Sequence, residues 1–176
     1  ALAKGRTKAF PRAKRVFIST PTVAGESLIE RGWNLSDQRR YHVPCPHCGE
    51  MQALEWGGPE CEHGIKFKGD DDALEALYIC AHCHREIFEH HKPKMLAHGD
   101  WIPAHPERKT RGYHISALYA PIGLGPSWQD LALEWKHAVK SPNTLRTFVN
   151  TNLGETWEEH GDHVEPTGLM MRLENY

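Results

Sequence analysis

The chain has 176 residues, 39% of them hydrophobic and 25% charged, with a formal net charge of −2 at pH 7. That length and apolar content suffice for one ordinary domain with a small appendage, and no apolar run approaches the ~20 residues of a bilayer span, which excludes a membrane-spanning helix. Five cysteines, set as two close pairs and a single residue, point to a reducing compartment such as the cytoplasm, where thiols bind metal instead of pairing as disulfides.

Residues 1–40 carry nine Lys and Arg against three Asp and Glu, so the near-neutral total conceals a basic start. Its polar character does not read as a secretory signal. Lys4, Arg6, Lys8, Arg12, Lys14 and Arg15 are candidates for contact with the phosphates of nucleic acid or nucleotide, the alternative being a solvated charged face. The run Arg15-Val16-Phe17-Ile18-Ser19-Thr20 then reads as a short strand ending in hydroxyls. A strand this short needs partners and none precedes it, so the segment reads as part of a longer polypeptide. Leu28, Ile29 and Trp33 predict a helix over 26–35, ended by Ser36-Asp37.

Two β runs, 40–43 and 51–56, flank the pair Cys45-Pro46-His47-Cys48. The stretch 57–74, rich in Gly and Asp and containing Cys61 and His63, reads as a loop or extension. Residues 77–79 and 86–88 bracket the second pair, Cys80-Ala81-His82-Cys83, in the same way. One or two helical turns are expected over 90–98, strands over 101–103 and 113–119, and a helix capped by Ser127 running through Lys140. A second helix follows from Ser141 to Gly154, and the tail from Glu155 is acidic with little pattern.

The paired cysteines carry the chemistry. Two residues between thiols let one turn aim both sulfurs at a single ion, and two such turns complete the tetrahedron that zinc prefers. Four thiolates, Cys45, Cys48, Cys80 and Cys83, leave no open position for water, so Zn²⁺ here would be structural. Gly49 suits the left-handed backbone expected after the first pair, whereas His84 stands at the equivalent place in the second. The 31 intervening residues exceed the usual spacing, so replacement of one ligand by His82, His84 or Cys61 remains an alternative, as does no metal. There is no Gly-x-x-x-x-Gly-Lys-Ser/Thr loop, no Gly-x-Gly-x-x-Gly turn and no His-Glu-x-x-His pair.

The ordered motifs Ile18-Ser19-Thr20-Pro21-Thr22, Ser36-Asp37-Gln38-Arg39-Arg40-Tyr41, Val43-Pro44-Cys45-Pro46-His47-Cys48-Gly49, Gly112-Tyr113-His114, Leu118-Tyr119-Ala120-Pro121 and Phe148-Val149-Asn150-Thr151-Asn152-Leu153-Gly154-Glu155-Thr156-Trp157 are similar to the lambda-type terminase large subunit of tailed phages, the GpA family. The resemblance covers nearly the whole chain. It implies a stretch from the middle of a DNA-packaging motor, between an N-terminal ATPase centre and a C-terminal metal-dependent nuclease centre. It further implies that Ser19, Thr20 and Thr22 match the ATPase coupling motif. Hydroxyls at a strand end can exchange hydrogen bonds with phosphate or water and so report nucleotide state, and a plain Ser/Thr turn is the alternative. In the family's order the phosphate loop and the Mg²⁺-binding acids come before Ala1 and the nuclease carboxylates after Tyr176. ATP and Mg²⁺ are therefore expected for the full-length subunit only, and the chain alone is expected to be inactive, with Arg6 a minor candidate for an ATPase arginine. The implied partners are double-stranded viral DNA, the terminase small subunit and the procapsid portal, in the host cytoplasm and without a membrane.

The expected fold is α+β: the end of an α/β ATPase domain (1–40), a zinc-ribbon module (41–100) with short strands, and a strand and helical linker toward the nuclease (101–176), with two or three helices in all. One rival is a free-standing zinc ribbon that binds nucleic acid or protein. Another is an HNH-type nuclease, which needs an Asp/Glu-His pair beside the knuckles and finds only Glu62-His63.

Overall fold

The computed structural model describes residues 9–10, 12–58 and 61–158. The acidic tail beyond 158 lies outside them. The first regular element among the described residues is helix α1, Leu28–Asn34, preceded by Ser27 in extended conformation. Glu30 reaches back from its first turn to accept the Gly25 N–H at 2.7 Å, and the Ser36 hydroxyl closes its end by donating to the Trp33 carbonyl at 2.7 Å. The strand expected over 15–20 does not form. Val16, Phe17 and Ile18 are 79%, 64% and 92% exposed, and among the described residues no strand hydrogen-bonds to them, so the backbone has no ladder to join.

Two small sheets follow. The first contains β1 (Arg39–Pro44), β2 (Met51–Ala53), β6 (Asp100–Pro103) and β7 (Tyr113–His114). β1 pairs antiparallel with β2 (Val43 opposite Gln52), antiparallel with β6 (Tyr41 opposite Trp101) and parallel with β7 (Arg40 opposite His114). Because β6 takes one edge of β1 over 39–42, β2 and β7 share the other edge in succession. The second sheet is β3 (Gly64–Lys68), β4 (Glu75–Ile79) and β5 (Glu86–Ile87), all antiparallel.

β3 corrects the expected loop over 57–74. The glycines there mark a backbone crossing: a Cβ on Gly57 would lie 2.4 Å from the His63 carbonyl oxygen, and one on Gly64 2.7 Å from that of Trp56. Close approach of two main chains needs glycine, and both also have positive φ. The long strand expected over 113–119 is likewise shortened. After His114 the chain turns into a 3₁₀ turn, Ala117–Tyr119, which sends Leu118 and Tyr119 inward to 1% and 6% exposure.

The next helices divide between the two sheets, the first lying against β1 and the second, Trp128–Ala138, covering β3 and β4. Helix α2 is Lys92–Ala97, after a 3₁₀ turn at Glu89–His91. Helix α3, Trp128–Ala138, starts with a capping box in which Ser127 Oγ accepts from Asp130 N and the Asp130 carboxylate accepts from Ser127 N. Helix α4, Pro142–Phe148, continues as a π-helical turn, Val149–Leu153, ended by Gly154 at φ 68°. Trp128 is fully buried 5.9 Å from the Tyr78 ring. Trp56, Trp135 and Phe148 form a triangle of rings with centroids 5.2–5.3 Å apart. The buried Lys92 ammonium meets Glu89 at 2.5 Å and lies 5.1 Å from the Trp128 ring, while the same carboxylate accepts the first amide of α3, Trp128 N, at 3.1 Å. A carboxylate there also suits the positive end of the helix dipole.

Tyr119 ties the inward turn to the first sheet. Its hydroxyl donates to the Tyr41 carbonyl at 2.5 Å and accepts the Leu54 N–H at 2.6 Å. Tyr119→Phe strands both backbone groups away from water and should cost about 1–3 kcal/mol of unfolding free energy. Paired denaturant titrations of the two proteins measure that difference, with an unchanged slope expected because the surface exposed on unfolding is the same.

Candidate metal centre

Each cysteine pair sits at the tip of a β-hairpin. Cys45 and Cys48 lie between β1 and β2, and Cys80 and Cys83 between β4 and β5. The two tips are built alike, atom for atom. In the first, Cys45 N donates to Glu50 O at 2.9 Å and Gly49 N to Cys45 O at 3.0 Å; in the second, Cys80 N donates to Arg85 O and His84 N to Cys80 O, both at 3.1 Å. The amides of His47 and His82 each point at a sulfur, Cys45 Sγ and Cys80 Sγ, at 3.4 Å. Gly49 and His84 both adopt left-handed backbone, φ 80° and 54°. His84 therefore repeats the glycine's conformation without its freedom, which places strain in the second tip.

The four sulfurs converge within 4.8 Å of one another, with Cys45–Cys83 and Cys48–Cys80 each at 3.9 Å. A tetrahedral ion with metal–sulfur bonds of about 2.3 Å requires sulfurs about 3.8 Å apart, so the donor set fits a single ion with little adjustment. Cys45 and Cys80 are buried, Cys83 is half-buried and Cys48 exposed. Burial pushes the Cys45 thiol up to about 12, against the amide donors of Cys48 and His47. Burial acts on Cys80 as well, but the amides of Cys83 and His82 and the neighbouring thiols donate to it and bring it down to about 6. Without a cation the cluster resists carrying several negative charges, and a divalent ion removes that resistance. Hydrogen bonds around the sulfurs brace the two tips: Gln52 Oε1 accepts from the Ala81 amide at 2.9 Å, and His47 Nε2 pairs with the Glu86 carbonyl at 2.8 Å, each linking one hairpin to the other.

Cys61 is not part of this cluster; its sulfur lies against His63 at 3.3 Å. His82 and His84 are exposed and are not in the group either. His63, which the nuclease alternative would use with Glu62, faces Glu55 at 3.5 Å. Of the candidate phosphate contacts, Lys4, Arg6 and Lys8 lie outside the described residues, and Arg12, Lys14 and Arg15 are exposed. Ser19, Thr20 and Thr22 are exposed. Ser19 lines a cleft of about 280 Å³ with Trp33, Arg40, His114 and Glu155. The Thr22 carbonyl accepts from Trp157 N at 3.0 Å and from Asn150 Nδ2 at 3.1 Å.

Sequence reasoning missed Asp37. Its fully buried carboxylate binds Arg39 Nε at 2.8 Å, Arg111 Nη1 at 3.3 Å and the Gly112 amide at 3.0 Å. Burial opposes its charge, but the Gly112 amide and the Arg39 guanidinium outweigh that and hold the carboxyl below its usual range. The neighbouring Arg39 was visible in the sequence, but the other partners of Asp37, Arg111 and Gly112, are 74 and 75 residues away.

Two family models match the chain: "Phage terminase large subunit gpA, ATPase domain" over residues 1–101 and "Terminase large subunit gpA, endonuclease domain" over residues 110–176. The chain is 33% identical over 180 residues to a terminase large subunit of Enterobacteria phage P21 and 29% identical over 177 residues to one of Escherichia phage lambda. Each comparison covers 90% of this chain and 27% of the relative, so the chain spans about a quarter of the length of these relatives. No solved structure matches.

Metal analysis of the purified chain should give about one divalent ion per molecule. Cys83→Ser should lose it and Cys61→Ser should keep it, and chelation should lower stability by several kcal/mol because site and hairpin tips form together, roughly as in other structural sites. Separately, His84→Gly should relieve the left-handed strain and raise the unfolding free energy by about 1 kcal/mol with metal content unchanged, read by thermal unfolding of the two loaded proteins.

Proposed function

The chain belongs to the phage terminase large-subunit family, and from that premise we propose that it forms the joint between the ATPase and the nuclease of a DNA-packaging motor, held by a structural zinc ion. The four-sulfur donor set supports zinc, since thiolate ligands in a closed tetrahedron suit that metal and leave no position for substrate or water. Such an ion would fix two hairpins and take no part in chemistry. The three segments of the reading are 1–40 as the end of the ATPase domain, 41–100 as the zinc-ribbon module and 101–176 as the link toward the nuclease, with β1 straddling the first joint.

One observation carries the coupling role. Thr22, in the segment that resembles the ATPase coupling motif, is hydrogen-bonded through its carbonyl to Asn150 and Trp157 in the stretch matched by the endonuclease model. A parallel bridge between Val23 and Trp157, with Ala24 N donating to Trp157 O at 2.9 Å, reinforces the contact. A nucleotide-dependent shift at Ser19, Thr20 and Thr22 would thus reach the nuclease side directly, as well as by the longer path through α1 to the metal module. Backbone hydrogen bonds transmit such a shift because the bonded segments must move together or break.

In this reading the full-length subunit hydrolyses ATP with Mg²⁺, moves and cuts double-stranded viral DNA, and works with a small subunit and the procapsid portal in the host cytoplasm. Lys4, Arg6, Lys8, Arg12, Lys14 and Arg15 would meet DNA phosphates without reading sequence. No helix among the described residues is long and apolar enough to cross a membrane. A free-standing ribbon is less favoured, because the two family models extend over almost the whole chain and well beyond the knuckles.

Within a full-length subunit, Thr20→Ala and Thr22→Ala should leave nucleotide binding within about twofold while lowering ATP turnover or packaging about tenfold or more. Asn150→Ala, which cuts the side-chain bonds to Thr22 and to the Glu155 carbonyl, should reduce packaging in the same manner. Nucleotide affinity, turnover and DNA packaging measured on one preparation check this, and wild-type packaging by all three variants would remove the coupling role.

A further inference from the structure

The first sheet carries a row of rings that neither the sulfur site nor the coupling contacts use. Side chains two apart on a strand share a face, so Arg39 and Tyr41 of β1 lie on one side with their registered partners Tyr113 and Trp101. Along that side the Tyr41 and Trp101 ring centroids are 5.1 Å apart, and Trp101 stands perpendicular to Tyr113 at 5.0 Å. Trp101 is half-buried, whereas Tyr113 is 58% exposed. The Arg39 guanidinium lies over the Tyr113 ring, 6.0 Å from its centroid, and shares Asp37 Oδ2 with Arg111, at 2.8 and 3.3 Å. Two guanidinium groups on one carboxylate leave a positive charge in surplus, and the Arg111 side chain is 61% exposed. The loop before Tyr113 is fixed as well. Arg108 Nη1 donates to the carbonyls of Asn34 and Ser36 at 2.9 and 2.8 Å, Asp37 N to Thr110 O at 2.9 Å and Arg39 N to Gly112 O at 2.8 Å. Lys109 in this loop is exposed and has no ion pair among the described residues, and Glu107 is the only acid in 104–112.

We infer that Tyr113, Arg111 and Lys109 form a platform for an unpaired DNA strand, whose bases stack on the exposed ring while its phosphates meet the two cations. With Arg39 over the Tyr113 ring and Trp101 perpendicular to it, the ring is held in place, and more than half of the residue stays open to a base. Stacking of this kind is indifferent to sequence, because every base has a π-face. Arg111 is already held by Asp37, so little side-chain freedom is lost when a phosphate arrives. A duplex offers the ring no free base face, since its bases are stacked on one another, and only the cations act on it. That the strand is DNA rests on the packaging reading above, whereas the stacking rests on the geometry alone.

The test follows the fluorescence anisotropy of labelled oligonucleotides of about twelve nucleotides as the metal-loaded chain is added at about 0.15 M salt. Oligo-dT should bind about tenfold more tightly than a strand of equal length whose sites are abasic, which keeps the phosphates and removes the bases. Tyr113→Ala should bring oligo-dT down to the abasic level, and Tyr113→Phe, which keeps the ring, should restore it. Arg111→Gln and Lys109→Gln should each weaken both strands and lower the slope of log affinity against log salt by about 0.7. Metal content equal to that of the parent chain shows that the variants remain folded. Equal affinity for the intact and abasic strands, oligo-dT binding unaltered by Tyr113→Ala, or an equal loss of duplex and single-strand binding in that variant would overturn the platform. Oligo-rU bound about tenfold more tightly than oligo-dT would instead overturn the choice of DNA and tell against the packaging reading, with the stacking left standing.

Discussion

Strand β1 hydrogen-bonds to three other strands within its six residues, and most of the chain reaches its position through that pairing. Its C-terminal half makes a hairpin with β2 and ends at the first cysteine pair, while its N-terminal half holds β6 and β7, which come from 56 or more residues later in the chain. Asp37, just before the strand, satisfies the Gly112 amide and two guanidinium groups, which sets where β7 enters. Tyr119 does the same at the other side, spanning β1 and the residue after β2 with one hydroxyl. A displacement of β1 would therefore break contacts to the segments matched by both family models at once.

The strands themselves are short, between two and six residues. Hairpins of that size have little stability in isolation, since few ladder bonds offset the loss of backbone freedom. Two features compensate. Four sulfurs converge from the hairpin tips of both sheets, where a shared ion would bind them far more strongly than the few hydrogen bonds that already link the hairpins. Between the sheets and the helices, the ring triangle of Trp56, Trp135 and Phe148 and the buried Trp128 provide the large apolar contacts that such small sheets lack.

Burying Lys92 within this packing has a desolvation cost that Glu89 offsets only in part. The arrangement also fixes geometry, because the carboxylate that neutralises the lysine accepts the leading amide of α3. The segment after the second cysteine pair is in this way locked to the helix that covers the second sheet. The metal site and the helical layer consequently share one rigid connection, although no side chain of α3 is among the four sulfur ligands.

The sequence alone determined the features that depend on near neighbours: both Cys-x-x-Cys turns, the capped helix from Ser127, the hairpins around each cysteine pair, and the ordered motifs that gave the family. These follow from spacing and local backbone preference, which a few consecutive residues encode. Tertiary structure decided the rest. The apolar run at 16–18 looked like a strand but has no partner among the described residues, and strand formation depends on a partner. The glycine-rich stretch looked like a loop, yet Gly57 and Gly64 exist to let two main chains cross, a need visible only when both are seen together. Asp37 gave no signal because its charge is meaningful only beside residues 111–112. The Thr22 contacts with Asn150 and Trp157 were hidden for the same reason: contact between distant residues is fixed by the packing of the whole fold, and local composition does not record it.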